Sequence, residues 1–218
     1  METIQALGNT GLKYTMPYPT EQQTQESSQP LMQWVSETEY WEKYYDYPDK
    51  KYEWHNGYLE ELLPSQQVTF QSYLRYLMLI NAYLETNKIA DLCGLGMGFR
   101  LDLPNGVSIR RPDLGLVLKN NPIPIEGHDT RYHGTFDICI EAISEFPSEI
   151  ERDTVIKKAE YAAVGVKEYF ILDGNKRFTS FYRLDPDRAV YVPIEPLEGD
   201  IIQSNVLPGF QFRISDYF

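Results

Sequence analysis

Between Gln66 and Asn87 apolar positions recur at helical spacing: Phe70, Tyr73, Leu74, Leu77, Met78 and Leu84, with Asn81 the polar member of the stripe. A line of that period sustained over about six turns predicts an amphipathic helix whose stripe packs on a core. A second stretch of the same period runs from Asp153 to Val164, with Val155, Ile156, Ala159, Ala162 and Ala163 on one side and Gly165 placed to cap its end. Elsewhere the pattern shortens to runs of strand length. Phe99 to Leu103 alternates, Arg111 to Leu118 and Phe136 to Ala142 are mostly apolar, and Glu168 to Asp173 reads as a buried strand. Further β-like runs lie at Phe178 to Tyr182, Ala189 to Ile194 and Phe210 to Ile214. Near the start, Ser36 with Glu39 three residues on makes a capping box for a short helix through Glu39 to Tyr45. Asn56-Gly57 joins two β-rich runs, Lys51 to His55 and Tyr58 to Leu62, as a hairpin.

Helices interleaved with strands predict a mixed α/β (α+β) sheet protein. Residues 1–33 carry few large apolar side chains and include the polar run Thr20 to Pro30, so a flexible arm is expected there and a folded domain over 34–218. With 218 residues and 42% hydrophobic content, one core suffices. No apolar run approaches the ~20 residues of a membrane span, and Met1 to Gln5 lacks the basic start and apolar segment of a secretory signal, so a cytoplasmic protein is expected. Cys93 and Cys139, in apolar company and without zinc-ligand spacing, fit buried thiols of a reducing compartment. The net charge of −12 argues against strong non-specific binding to nucleic acid.

The chemistry concentrates on two carboxylates. If Arg111 to Leu118 and Phe136 to Ala142 pair antiparallel, Gly115 faces Cys139, Val117 faces Asp137, and Asp113 faces Glu141. Adjacent carboxylates repel, and a shared divalent cation is the usual remedy. Asp153, Lys157 and Tyr161 recur every four residues along the second helix. Such spacing is ordinary for an exposed ion pair, but this helix directly follows the Glu141 strand, so its first turns can fold back and bring Lys157 over Asp113 and Glu141. Two carboxylates with an ammonium suit phosphodiester hydrolysis, and hard oxygen ligands favour Mg²⁺ or Mn²⁺. His128 and His133 fall in the aperiodic segment 119–135 and read as surface histidines. Gly94-Leu95-Gly96-Met97-Gly98 precedes a strand pattern rather than a helix, which excludes a phosphate loop, and Ser144 lacks the glycine elbow of a hydrolase nucleophile.

Pro112-Asp113 followed by Glu141-Ala142-Ile143 resembles the PD-(D/E)XK nuclease superfamily, with Ile143 where its lysine would stand. From about Trp34 onward the chain is similar to the restriction-endonuclease family called Uma-two, formerly a domain of unknown function, in which the lysine lies on the following helix. Tyr52-Glu53 with Gly57, then Asp153-x-x-x-Lys157-x-x-x-Tyr161, Gly165 to Asp173 and Leu207-Pro208-Gly209 carry that likeness. It implies a restriction-endonuclease-like αβββαβ core: helix 66–87, three strands through Glu141, helix 153–164 and strand 168–173. An N-terminal helix and hairpin and C-terminal strands are added to this core. It further implies a Mg²⁺- or Mn²⁺-dependent DNA endonuclease, acting as a homodimer. Asp113 and Glu141 would be the metal ligands, Lys157 the group at the nucleophile or oxyanion, and Glu53 a further acid. The acidic charge and the tyrosine content favour the alternative, a weakly active or inactive nuclease fold used for binding or assembly.

Overall fold

The computed structural model describes residues 34–94, 96–175 and 179–216; the arm expected over 1–33 lies outside them. Chain order begins with α1 (Glu37–Glu39), which widens into a π-helical turn, Tyr40–Tyr44. Ser36 caps it, its Oγ accepting from the Glu39 N–H at 3.2 Å. Only half of the capping box forms, because the Glu39 carboxylate pairs with Lys43 at 3.0 Å instead. Strands β1 (Lys51–His55) and β2 (Tyr58–Leu62) form the hairpin, and Asn56 and Gly57 both take positive φ, +47° and +95°, as a two-residue turn between twisted strands requires.

Helix α2 (Gln67–Thr86) occupies the long periodic segment but does not bury the stripe its sequence suggests. Its buried line is Thr69, Ser72, Tyr76 and Ile80, flanked by Tyr73, Leu77 and Leu84, while Phe70 and Met78 are 45% and 65% exposed. Small side chains decide this rotation. The Thr69 hydroxyl donates to the Ile143 carbonyl at 3.2 Å, and a Cβ on Gly174 would stand 2.6 Å from the Val68 side chain and 2.8 Å from Ser72 Oγ. Bulkier residues on that line would hold the helix off the sheet.

Eight strands follow through the middle of the chain: β3 (Ala90–Cys93), β4 (Gly98–Leu103), β5 (Gly106–Arg110), β6 (Leu114–Leu118), β7 (Arg131–Tyr132), β8 (Ile138–Ala142), β9 (Glu168–Leu172) and β10 (Ser180–Asp185). With β11 (Val190–Pro193) they make two mixed sheets, ordered β2-β1-β5-β4-β7 and β11-β10-β9-β8-β6-β3, and β12 (Ile201–Gln203) pairs with β13 (Gln211–Arg213). In the six-stranded sheet only β8 and β9 run parallel; β6 runs antiparallel to β8. This is the expected restriction-endonuclease-like arrangement.

The central strands β6, β8 and β9 are covered on both faces, which explains their nearly unbroken apolar runs. Leu114, Leu116, Ile138, Ile140, Phe170 and Leu172 point into the cluster under α2. Val117, Cys139, Tyr169 and Ile171 point the other way, toward Phe99, Tyr161 and Val166. By alternation Asp113 and Glu141 share that second face.

Above this face lies α3. It starts at Pro147, six residues earlier than the pattern from Asp153 suggests. Three contiguous segments compose it: Pro147–Glu151, a π-helical turn Arg152–Ile156, and Lys157–Ala163. Proline is well suited to the first helical position, where no N–H partner is needed. The early start takes up the long link after Glu141. Among the described residues, no helix is long and apolar enough to cross a membrane.

Candidate active site

The β6–β8 ladder sets Leu114 opposite Ile140, Gly115 opposite Cys139 and Leu116 opposite Ile138. One step further along the same register, Asp113 stands opposite Glu141, with both side chains on the α3 face. The Ala142 N–H donates to Asp113 Oδ2 at 2.8 Å and fixes that end of the pair.

Lys157 descends from α3 onto this pair. Its ammonium lies 3.0 Å from Glu141 Oε1, 2.9 Å from Glu53 Oε1 and 3.2 Å from Asp153 Oδ1. The ammonium donates a hydrogen bond to Glu141 and stands in ion pairs with Glu53 and Asp153. The Tyr161 hydroxyl donates to the same Glu141 oxygen at 2.9 Å. Asp153, Lys157 and Tyr161 therefore do work as one stripe, facing inward rather than solvent. The π-helical turn arranges this stripe: the Lys157 N–H reaches Arg152 O, and the Asp153 carbonyl accepts the Tyr169 hydroxyl at 2.7 Å.

Glu53 reaches Lys157 from behind. It is fully buried on β1 and does not line the cleft. One oxygen forms an ion pair with Lys157 and accepts from the Arg111 N–H at 2.8 Å; the other accepts from Arg110 Nη1 at 3.1 Å. Arg110, also fully buried, further grips Glu160 through Nε at 2.6 Å and Nη2 at 3.0 Å, and it pairs with Glu60. Arg152 stands 3.9 Å from Glu53, 3.4 Å from Glu149 and 3.3 Å from Asp153.

These surroundings split the carboxylates electrostatically. Burial pushes Glu53 up, but Lys157, Arg110 and Arg152 outweigh it and hold its pKa at about 2. For Asp113 burial wins over the Ala142 N–H and Lys157, and its pKa rises to about 6. Glu141 is raised well above the usual carboxylate range by burial, with Asp153, Asp113 and Glu53 adding to the effect against Lys157. Burial opposes charge on Lys157 too, yet Asp153, Glu141 and Glu53 raise its pKa above the ordinary lysine range, so it is an ammonium and not a general base near neutrality.

Asp113 and Glu141 open into a cleft of about 370 Å³ whose charged lining is balanced: Lys51, Arg111, Arg152 and Lys157 against Asp113, Glu141, Glu149 and Asp153. The overall acidity of the chain is thus absent locally. Hydrogen bonds from described residues reach Oδ2 of Asp113 and Oε1 of Glu141, which leaves the other oxygen of each for a ligand. No group of three or more His, Cys, Asp or Glu among the described residues is arranged to hold a metal. Two desolvated carboxylates suit an ion that retains much of its water, as Mg²⁺ does, better than one caged by protein. His128 and His133 are exposed and stand apart from the cleft lining.

Arg110, Arg152, Glu149 and Glu160 carry much of this geometry and leave little trace in the sequence. Ser108 and Arg110 share one face of β5, which reads as a solvent face by alternation, yet α3 lays Glu160 against it. The adjacent cations Arg110-Arg111 ahead of Pro112-Asp113 are the one available signal.

The model of the Uma2 (Uma-two) family, described as "Putative restriction endonuclease", matches residues 38–215. Among solved structures, the chain is similar to one described as a "putative nuclease belonging to DUF820" from Anabaena variabilis. The two share 15% identity with a TM-score of 0.61, over 77% of this chain and 89% of that one. No curated protein matches.

Proposed function

The chain belongs to the Uma2 family, and from that premise we propose that it is a metal-dependent DNA endonuclease hydrolysing phosphodiester bonds at Asp113, Glu141 and Lys157. One observation carries the reading: an ammonium from α3 meets Glu141, 3.0 Å away, in the same cleft as Asp113.

In this reading Asp113 and Glu141 would hold Mg²⁺ or Mn²⁺, which would supply Lewis-acid polarisation of the phosphate and a more acidic bound water. Lys157 and Tyr161 both hold Glu141 through Oε1, which would keep the other carboxylate oxygen turned to the cation. Lys157 would orient the attacking water or stabilise charge building on the phosphate oxygens. Glu53 positions Lys157 from behind and does not touch substrate. Cutting both strands of a duplex takes two such sites, so a duplex-cutting form acts as a homodimer. Buried Cys93 and Cys139 suit work in a reducing cytoplasm.

Calorimetric titration with Mn²⁺ should show one binding event that Asp113→Ala abolishes. In a sensitive cleavage assay Asp113→Ala and Lys157→Met should each lose about 10²–10³-fold. Absence of Mn²⁺ binding, together with cleavage unaltered by Asp113→Ala, would overturn the reading.

A further inference from the structure

Phe70 is exposed where the fold does not need it, since the buried line of α2 runs through Thr69, Ser72 and Tyr76. It lines the Asp113–Glu141 cleft together with Tyr73. The two rings are roughly parallel, 27° apart in plane, with centroids 6.4 Å apart. Tyr73 carries this aromatic surface inward: a Cβ on Gly94 would lie 3.6 Å from its hydroxyl and 4.0 Å from the Asp113 carbonyl oxygen. Lys51, exposed on β1, and Arg111 supply positive charge to the same cleft. Arg111 is held in place, its Nε donating to Gly96 O at 2.8 Å and its guanidinium 4.4 Å from the Tyr45 ring centroid.

Aromatic faces beside cations are what an unpaired nucleotide needs: the base stacks and the phosphate pairs. Paired bases inside a duplex offer no such faces. A volume of about 370 Å³ is that of a small-molecule site and suits one nucleotide rather than a double helix. A net charge of −12 also leaves little general attraction for duplex, so base stacking must supply affinity that phosphate contacts do not.

We infer that the cleft receives an unpaired nucleotide whose base stacks on Phe70, so that the substrate is single-stranded or branched DNA rather than intact duplex. This deepens the nuclease reading and rests on it for the chemistry. Its test does not require cleavage. Binding is measured without divalent metal, using single-stranded and hairpin-duplex oligonucleotides carrying 2-aminopurine, whose fluorescence falls on stacking. The single strand should bind at least tenfold more tightly and be quenched. Phe70→Ala and Phe70→Leu should each weaken binding about tenfold and abolish quenching, and Phe70→Trp should restore both. Melting temperatures should stay unchanged, because Phe70 is outside the core. Equal affinity for duplex and single strand, or Phe70→Ala behaving as the parent, overturns the inference. If cleavage fails while Phe70-dependent quenching persists, the nuclease reading falls and this site stands. If metal-dependent cleavage prefers duplex and ignores Phe70, the reverse holds.

Discussion

Two buried charge clusters meet at Lys157, and they are built on opposite principles. Around Glu53 the cations Arg110, Arg152 and Lys157 more than neutralise the acid, whose pKa lies at about 2. Around Asp113 and Glu141, a few ångströms away, burial exceeds the available positive charge, and Asp113 rises to about 6. A self-neutralised cluster serves as a strut; in an under-neutralised one, added positive charge lowers the cost of ionising the carboxylates. The contrast teaches that burial by itself does not mark a functional carboxylate. The balance of charge around each carboxylate is what separates the two clusters.

The strut can be broken directly. Arg110→Met keeps the volume but strands Glu53, Glu60 and Glu160, and should cost about 3–5 kcal/mol in denaturant unfolding. Asp113→Asn, measured without divalent metal, should be neutral or stabilising, because it removes a carboxylate that folding desolvates. If both variants were equally destabilising, the two clusters would not differ in kind.

The pH dependence sharpens the same contrast. Folded Asp113, with a pKa of about 6 against an ordinary 3.8, binds more protons than the unfolded chain between those values, so stability falls as pH rises through that window. Glu53, at about 2 against 4.5, does the opposite, and its contribution is lost as pH falls through that lower window. From these two groups metal-free protein should be most stable at pH ~4. Saturating Mn²⁺ should add about 3 kcal/mol at neutral pH by mass action at a hundred times its dissociation constant, moving the optimum upward. Thermal unfolding across pH, with and without Mn²⁺, measures both; an optimum that ignores the metal would detach it from Asp113.

The smallest expected effect tests burial within the strut. Glu60 pairs with the same Arg110 but keeps 29% of its side-chain exposure, so Glu60→Gln should cost under about 1 kcal/mol in unfolding.

Much of the site was legible in the chain, for identifiable reasons. Counting inward from Asp113 and Glu141 yields the β6–β8 register because an antiparallel ladder has one period and the apolar runs fix its phase. Lys157 was reachable from its spacing to Asp153 and Tyr161. Helix α2 was legible as a helix but not in its orientation: hydrophobicity selects Phe70 and Met78, whereas close packing against Gly174 selects Thr69 and Ser72. The arginine strut was not legible, because a polar face covered by a distant helix looks like a polar face in water.

The π-helical turn at Arg152–Ile156 has one more consequence. With the Lys157 N–H reaching Arg152 O, that turn holds one residue beyond an α-helical one, and each residue turns a helix by about 100°. Deleting Val155 would remove that extra residue and return the turn to α-helical spacing, leaving Pro147–Glu151 close to its present phase against Lys157–Ala163 and Glu149 still beside Ser144 and the Leu63 N–H. Along this helix, which side chain confronts the sheet is decided by residue count as much as by residue identity. The turn is the slack in the helix: a residue lost within Lys157–Ala163, where none is spare, would rotate everything before it by about 100°.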